Sequence, residues 1–223
     1  MNCSDRTVTT SPRDPLSSTV TLALEGVGKR FGRRRVFEGI TASVGHGEVL
    51  VVTGPNGSGK STLLMVIAGL LRPTRGQVVA ALDGKPLALE DRREWLGMVA
   101  PDLTLYPELT ALENLRFFEQ VRGRAPREKE LAALLERVGL AGRGHDQVGT
   151  FSSGMRQRLK YAFALAHAPK VLLLDEPTAN LDVAGVSMVE AVIAEQRRRG
   201  VLVLATNEPE EVRHGDRCLA LGG

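Results

Sequence analysis

A glycine-rich turn between a strand pattern and a helix pattern constrains this chain more than any other feature. The turn reads GPNGSGKST and follows the apolar segment Val49–Thr53, and an apolar helical pattern begins near Ser61. Three glycines let the backbone curl so that successive N–H groups point at one anion, and the helix dipole adds positive potential there. In this context the pattern predicts a phosphate-binding loop rather than an ordinary turn. Its nine residues are the expected nucleotide contacts: Gly54, Pro55, Asn56, Gly57, Ser58, Gly59, Lys60, Ser61 and Thr62.

Two acids at the end of a second apolar segment complete the chemistry that such a loop needs. The segment VLLLDE ends in Asp175 and Glu176. A buried strand would deliver Asp175 to a magnesium ion, which Ser61 also ligates, and would place Glu176 beside an attacking water. Lys60 would reach the β and γ phosphates. Two solvated acids at a strand end are an equally good interpretation of this segment alone, and the nearby phosphate-binding loop favours catalysis.

Strand and helix patterns alternate along the chain, which predicts an α/β fold with a parallel sheet covered by helices. The last four of the expected strands are almost continuously apolar and are predicted to be buried on both faces. The stretch from about 101 to 168 is mostly helical and is predicted to be a lobe inserted into the sheet. The expected strands are 19–24, 48–53, 170–175, 201–206 and 218–221, and the expected helices are 61–71, 128–138, 156–166 and 186–199.

Size and composition favour a single domain and argue against nucleic-acid-binding and membrane-spanning proteins. A chain of 223 residues accommodates one domain, predicted over 19–223 after a polar, disordered tail over 1–18. The basic triplets 33–35 and 197–199 carry no interleaved aromatic residues, so we expect solvated faces and no nucleic-acid partner. Two distant cysteines fit a reducing compartment. The apolar runs are too short to cross a bilayer.

With these motifs in place, the chain resembles the ATP-binding subunit of an ABC transporter from Thr19 to Leu221. The resemblance implies a P-loop NTPase fold with a mostly parallel sheet, N-terminal antiparallel strands and the inserted helical lobe. It implies that Phe31 stacks on adenine and that Asp182, in the segment ANLD, belongs to the family's D-loop. ATP and Mg²⁺ are the implied ligands.

The segment FSSGM at 151–155 is similar to the family signature LSGGQ, with Ser153 replacing a glycine and Met155 replacing the glutamine. In the family this loop caps the γ-phosphate bound by the other protomer. Ser152, the N–H of Gly154 and the following helix N-terminus would therefore face ATP across an interface. The resemblance thus implies a homodimer that sandwiches two nucleotides.

The chain departs from the family at two positions. By ungapped counting, the family's Q-loop glutamine falls on Pro101, which has no side-chain carbonyl, and Asp102 follows it. Asp102 would substitute only through a shifted loop or a bridging water. The second departure is Asn207, where the family usually has a histidine that contacts the γ-phosphate. Asn207 keeps a hydrogen-bond donor with a shorter reach, so we expect weakened rather than abolished hydrolysis.

Two functions remain open. The first is a transport ATPase that drives a transmembrane permease on a separate chain, peripheral on the cytoplasmic face of the cell membrane. The region 102–118 would meet that permease. FSSGMRQRLKYAFAL and ELTALENLRFF resemble compact exporter subunits, including those of heme export for cytochrome c maturation and multidrug-type cassettes. The second is a nucleotide-gated clamp with little turnover, which Pro101 and Asn207 motivate and which intact Glu176 and Asp182 oppose.

Overall fold

The computed structural model describes residues 19–88 and 90–222, apart from the side chain of Arg93. The tail predicted over residues 1–18 lies outside the described residues. Two sheets form the framework, one of four strands in the order β2-β1-β4-β5 and one of five in the order β6-β7-β8-β3-β9. The strands are β1 Val20–Phe31, β2 Arg34–Val44, β3 Val49–Thr53, β4 Arg75–Leu82, β5 Lys85–Pro86, β6 Leu96–Val99, β7 Val171–Asp175, β8 Val201–Ala205 and β9 Arg217–Ala220.

The five-stranded sheet is parallel in every pairing. Its central strands β7 and β8 are fully buried, and four of the five residues of β3 are buried, as their apolar sequences predict. The expectation for the last strand was wrong, because three of the four residues of β9 are exposed. β9 lies at an edge of the sheet beside β3, so among the described residues one of its sides has no neighbouring strand.

The helices fill the connections between strands, as in other sheets with parallel neighbours. Two helices begin three residues before the sequence expectation because the side chains of Ser152 and Asp182 cap them, and the first helix ends four residues earlier than expected. The helices are α1 Lys60–Ile67, α2 Arg92–Trp95, α3 Ala111–Val121, α4 Glu128–Arg137, α5 Ser153–Leu165, α6 Val183–Arg199 and α7 Pro209–Val212.

The helix α5 shows this effect clearly. It begins at Ser153 rather than at Arg156, because the Ser152 hydroxyl accepts a hydrogen bond from the N–H of Met155 at 3.1 Å. The segment that looks too flexible for a helix start is therefore a helix N-terminus with its own cap. Likewise, Thr110 and Glu113 form a capping box that starts α3, a helix whose bounds the sequence analysis did not predict.

The antiparallel sheet lies against the start of α1. A side-chain carbon added to Gly59 would come within 2.5 Å of Val36 Cγ1 on β2. The β1–β2 hairpin is therefore packed directly beside the glycine-rich turn, and it carries Phe31 at the end of β1. The two sheets and the helices agree with the predicted α/β class, including the antiparallel N-terminal strands.

Helices α3, α4 and α5 pack on one another between β6 and β7 in the chain. They share one hydrophobic cluster with one face of the parallel sheet. A second cluster joins the opposite face of that sheet with α1 and the antiparallel strands. The division into one domain with a helical lobe stays a prediction. Across the described ranges, no helix is both long and apolar enough to cross a bilayer.

Candidate functional site

The glycine-rich turn connects β3 to α1 with backbone angles that favour glycine. Gly54 has φ of 145° and Gly59 has φ of 101°, in the left-handed range. A side-chain carbon on Gly54 would collide with the main-chain oxygen of Leu221, and it would lie 2.7 Å from Ser58 Oγ. Space and torsion angle together therefore require glycine at residue 54.

Two polar groups inside the turn are buried. Lys60 is only 6% exposed, and its Nζ donates to the carbonyl oxygen of Gly54 at 2.7 Å. The Ser58 hydroxyl is buried and has no hydrogen-bond partner within the described residues. An unpaired buried hydroxyl costs free energy unless something pairs with it. The turn thus offers a cation and an unsatisfied hydroxyl to a phosphate group.

Asp175 lies at the end of β7, 2% exposed, and the Ser61 hydroxyl at the start of α1 hydrogen-bonds to its carboxylate. Burial raises the pKa of Asp175; the Ser61 hydrogen bond lowers it, the charge of Glu176 raises it, and the charge of Lys60 lowers it. A buried carboxylate that touches a hydroxyl provides two hard oxygen donors side by side. These are donors that Mg²⁺ accepts in phosphate-binding loops, so the pair fits the predicted metal.

Glu176 follows directly and differs from Asp175 in environment. Its side chain is exposed, and its φ of 49° is a left-handed conformation that is uncommon for a glutamate. The N–H of Glu176 donates to the carbonyl oxygen of Ala205 at the end of β8, at 2.9 Å. The bend turns the chain away from the sheet immediately after Asp175, so one acid is buried while its neighbour reaches solvent.

Asn207 follows the end of β8 and reaches the glycine-rich turn. Its Nδ2 donates to Oδ1 of Asn56 at 2.9 Å. Because β8 lies between β7 and β3, the ends of the three strands bring the turn, the two acids and Asn207 together. The structure therefore gathers these sequence-predicted residues at the carboxyl-terminal ends of the central strands of the parallel sheet.

Phe31 is half exposed at the end of β1, with Lys29 Nζ 4.9 Å from the centre of its ring. Lys29 is held there because its Nζ also donates to the carbonyl oxygen of Arg72 at 2.7 Å. An exposed ring on the hairpin that packs against Gly59 offers a surface for stacking, and the adenine contact stays a prediction.

Within one chain, Ser152 and Gly154 do not belong to this group of residues at the strand ends. No hydrogen bond joins residues 151–155 to the turn at 54–62 in the described part of the molecule. A side-chain carbon on Gly154 would instead lie 3.0 Å from the carbonyl oxygen of Asn180. Ser152 is the N-cap of α5, and Asp182 is the N-cap of α6, where it accepts from the N–H of Gly185 at 2.8 Å.

Arg158 connects these two helix starts, and the sequence analysis missed it. Its Nη2 donates to Asp182 Oδ1 at 2.6 Å, and its Nη1 donates to the carbonyl oxygen of Val138 at 3.2 Å. The hydrogen bond from Gly185 lowers the pKa of Asp182, and the contact with Arg158 lowers it further. Its place in the basic run MRQR of α5 was the available signal, but that run does not show which arginine points inward.

Glu211 on α7 is a second residue that sequence reasoning missed. It is buried, and its Oε1 accepts from the hydroxyl of Thr178 at 2.5 Å and from the N–H of the same residue at 3.2 Å. Thr178 lies two residues after Glu176. This contact links the segment that follows Asn207 to the segment that follows Glu176.

A cavity of about 670 Å³ lies between the parallel sheet and helices α3 and α5. The buried Asp175 and the exposed Asp102 both line it, and Phe118 and Phe163 contribute apolar surface. Exposed apolar side chains stand at its mouth. These are Leu70, which is 69% exposed, and Val121, which is 67% exposed.

A phosphate-binding loop after β3 and, after β7, a buried acid that touches the serine of the loop and an exposed glutamate define a nucleotide-binding domain of the P-loop class. The family model of the ABC transporter matches residues 37–179, more than half of the chain. The chain belongs to the ABC transporter family as an ATP-binding domain, which confirms the resemblance inferred from the motifs.

Individual relatives agree with this assignment. YdbJ, an ABC transporter ATP-binding protein of Bacillus subtilis, is 42% identical over 164 residues, which are 74% of this chain and 53% of that protein. The chain thus spans about half the length of this relative. CcmA, a cytochrome c biogenesis ATP-binding export protein of Rhizobium meliloti, is 38% identical over 191 residues, covering 84% of this chain and 91% of that protein. Other relatives are named for lantibiotic and for glutamine transport.

A solved structure shows the same fold. The ATP-binding cassette MJ0796, a dimer in a post-hydrolysis state bound to ADP and Pi, matches with a TM-score of 0.78 and 26% identity. The match covers 90% of this chain and 94% of that one.

Proposed function

We propose that this chain binds and hydrolyses Mg-ATP as the motor subunit of a transporter whose membrane-spanning part is a separate chain. The observation that carries the proposal is the buried Asp175 in contact with Ser61, with Lys60 in the same turn and Glu176 beside it. Each group sits at the end of a strand or the start of a helix, so the backbone fixes its position. This meets the need for preorganised groups around a triphosphate.

The roles of the chain's residues follow from their environments. Lys60 now donates to main-chain carbonyls of its own turn, and a bound triphosphate would take over those donors. The Ser58 hydroxyl would gain a phosphate oxygen as its partner. Glu176, exposed and next to the buried acid, would orient the attacking water and accept its proton. Ser61 and Asp175 would hold Mg²⁺, which neutralises charge on the phosphates when bound.

We propose that two copies close on two nucleotides. Ser152 and Gly154 stand at the start of α5, away from the turn of their own chain, so a second copy is needed to bring such a helix start to the triphosphate. The helix start offers free N–H groups and a positive dipole end, both of which suit a phosphate. The MJ0796 cassette is a dimer with ADP and Pi bound, which supports this arrangement.

The cavity between the sheet and α3 is the proposed docking site for the membrane subunit. Leu70 and Val121 are exposed at its mouth. Contact of these apolar side chains with water is unfavourable, and exposed apolar patches often mark interaction sites. Arg122 and Arg124 lie on one part of its lining, and Glu90 and Glu94 lie on another. A short amphipathic helix with complementary charges fits this surface, and it would place the chain at the cytoplasmic face of a membrane.

Export is the proposed direction, with heme export for cytochrome c maturation as the candidate cargo. The support is the similarity to CcmA over 84% of the chain. Relatives named for lantibiotic and glutamine transport match over similar lengths, so identification of the membrane chain that copurifies with this protein is the decisive test of cargo.

The hydrolysis and dimer proposals are tested together with three proteins. Wild type should release phosphate from Mg-ATP well above the background of Lys60→Ala. Glu176→Gln should bind ATP, release little phosphate and elute as a dimer at saturating Mg-ATP. A Glu176→Gln protein that stays monomeric even with the membrane chain present would contradict the shared site.

A nucleotide-gated clamp is the second candidate, because Asn207 is bonded to Asn56 and Pro101 replaces a glutamine of the family. It predicts the same ATP-dependent dimer without turnover. A wild-type rate equal to that of Lys60→Ala, together with a dimer, would favour the clamp.

A further inference from the structure

The segment that follows β6 is held by one lysine that is distant in sequence. Lys160 Nζ donates to the carbonyl oxygen of Ala100 at 3.1 Å and to the carbonyl oxygen of Pro101 at 2.6 Å. Pro101 has no N–H of its own to donate, and within the described residues Lys160 is the partner of its carbonyl. The half-buried ammonium therefore fastens a segment that has few hydrogen bonds of its own.

Lys160 belongs to α5, the helix that begins at the Ser152 cap. It lies seven residues after Ser153, which is about 10 Å along a rigid helix. The two hydrogen bonds from Lys160, called the tether below, therefore join the helix that carries Ser152 and Gly154 to the segment at 100–102. A groove of about 460 Å³ runs along this junction, with Ser153, Lys160 and Asn180 among its lining residues.

Asp102, the residue after the tether, faces the cavity that also contains Asp175. Partial burial lowers the pKa of Lys160, and the negative charge of Asp102 raises it. Burial raises the pKa of Asp175, and among the further causes the charge of Asp102 also raises it. Asp102 therefore follows directly on the segment that Lys160 holds and lines the same cavity as the acid of the nucleotide site.

We propose that Lys160 is a positioning residue for ATP hydrolysis, which acts by fixing the 100–102 segment to α5 so that Asp102 keeps its place beside the nucleotide site. The side chain of Pro101 has no hydrogen-bonding group. The segment is therefore held through its main-chain oxygens, which accept hydrogen bonds from the Lys160 side chain on α5. The inference rests on the proposed function, because positioning is meaningful only for a chain that turns over ATP.

The test compares Lys160→Met, which keeps the length of the side chain and removes its donors, with Lys129→Met, an exposed lysine on α4. For Lys160→Met we expect kcat for ATP to fall about tenfold with KM within twofold, since the lost bonds involve a charged donor. Lys129→Met should match wild type. A kcat equal to that of wild type, or a KM that rises as much as kcat falls, would overturn the proposal.

A double variant separates positioning from general damage. If Lys160 acts through Asp102, then Asp102→Asn combined with Lys160→Met should lower kcat no further than Lys160→Met alone. Losses that multiply would overturn this route. Lys160→Arg, which keeps the charge and the donors, should recover most of the rate. If Lys160→Met does not fold, Lys160→Leu, which also lacks a donor, replaces it in the same comparison.

Hydrogen exchange distinguishes failure of the tether from failure of the proposed function. Amides at 102–105 should exchange faster in Lys160→Met than in Lys129→Met or wild type, whether or not the protein hydrolyses ATP. A wild type without turnover contradicts the proposed hydrolysis, and equal exchange at 102–105 contradicts the tether.

Discussion

The side-chain nitrogen of Asn207 lies 2.9 Å from the side-chain oxygen of Asn56, which joins the end of β8 to the glycine-rich turn. Both side chains are amides that a bound nucleotide would approach. In this arrangement one of the two N–H donors of the Asn207 amide is occupied by the protein itself, so a triphosphate must either use the second donor, whose direction this bond fixes, or displace Asn56. The relationship gives a physical reason to expect slow turnover.

Asn207→His should therefore raise the rate of phosphate release. A histidine ring reaches further than an asparagine, and one hydrogen bond to a charged phosphate is worth about 1.5 kcal/mol, or about tenfold in rate. Steady-state phosphate release at saturating Mg-ATP measures the change. Asn207→Ala is the control and should be slower than the histidine variant; the opposite order would contradict the prediction.

Gly97→Ala should destabilise the fold where β6 meets α5. An added side-chain carbon would collide with the main-chain oxygen of Ala164 and lie 2.9 Å from Pro169 Cγ. Overpacking of this kind costs about 2 kcal/mol, which lowers the Tm of a chain of this size by about 4–8 °C. Calorimetry measures the Tm.

The matched control for that variant is Gly28→Ala. The nearest atoms to its added carbon are 3.6 Å away, an ordinary contact. Its Tm should stay within about 2 °C of wild type, because a change below about 0.5 kcal/mol is expected at such a site. A Tm for Gly97→Ala as close to that of wild type as the Tm of Gly28→Ala would show that the collision at Gly97 is relieved by small movements.

His167 should make stability depend on pH below neutrality. Burial lowers its pKa to about 4, and the nearby charge of Arg122 contributes. Arg122 can only donate to Nδ1 of His167, so the ring is neutral, and its Nε2 donates to the carbonyl oxygen of Leu96 at 3.0 Å. Between pH 6.5 and about 4 the unfolded chain binds this proton and the folded chain does not. The contribution of His167 to the free energy of unfolding is therefore largest above pH 6.5 and decreases as the pH falls toward 4.

The largest contribution of this one group is about 3 kcal/mol, from a pKa difference of about 2.5 units. His167→Gln keeps a donor toward Leu96 and does not titrate. Denaturant unfolding at pH 7 and pH 4.5 should show a smaller loss of stability for this variant than for wild type. Parallel losses would contradict the assignment to His167.

Val121→Glu should weaken association with the membrane chain. Val121 is exposed at the mouth of the apolar cavity, and a carboxylate there would have to be desolvated on docking. Copurification from membranes measures the effect, with Ala132→Glu on the exposed face of α4 as a control of equal added charge. Equal recovery of the membrane chain by both variants would place its docking site elsewhere.

The sequence predicted the parts of the fold in which local pattern and chemistry coincide. β3, β7 and β8 are continuous apolar runs followed by a motif or an acid, so their strand character and burial could be inferred, whereas their order in the sheet could not. Strands β2 and β4 were not predicted, because most of their residues are exposed or half-buried and have no clear period. Their conformation depends on pairing with β1, which sequence periodicity does not report.

By itself the sequence determined the phosphate-binding loop, the pair Asp175 and Glu176, and the class of protein, because these depend on residue types at fixed short spacing. Tertiary structure alone decided that Asn207 bonds to Asn56, that Arg158 contacts Asp182, and that Lys160 holds the carbonyl of Pro101. Lys160 and Pro101 are 59 residues apart in the chain. Such contacts follow from how helices and sheets pack, and no local pattern contains that information.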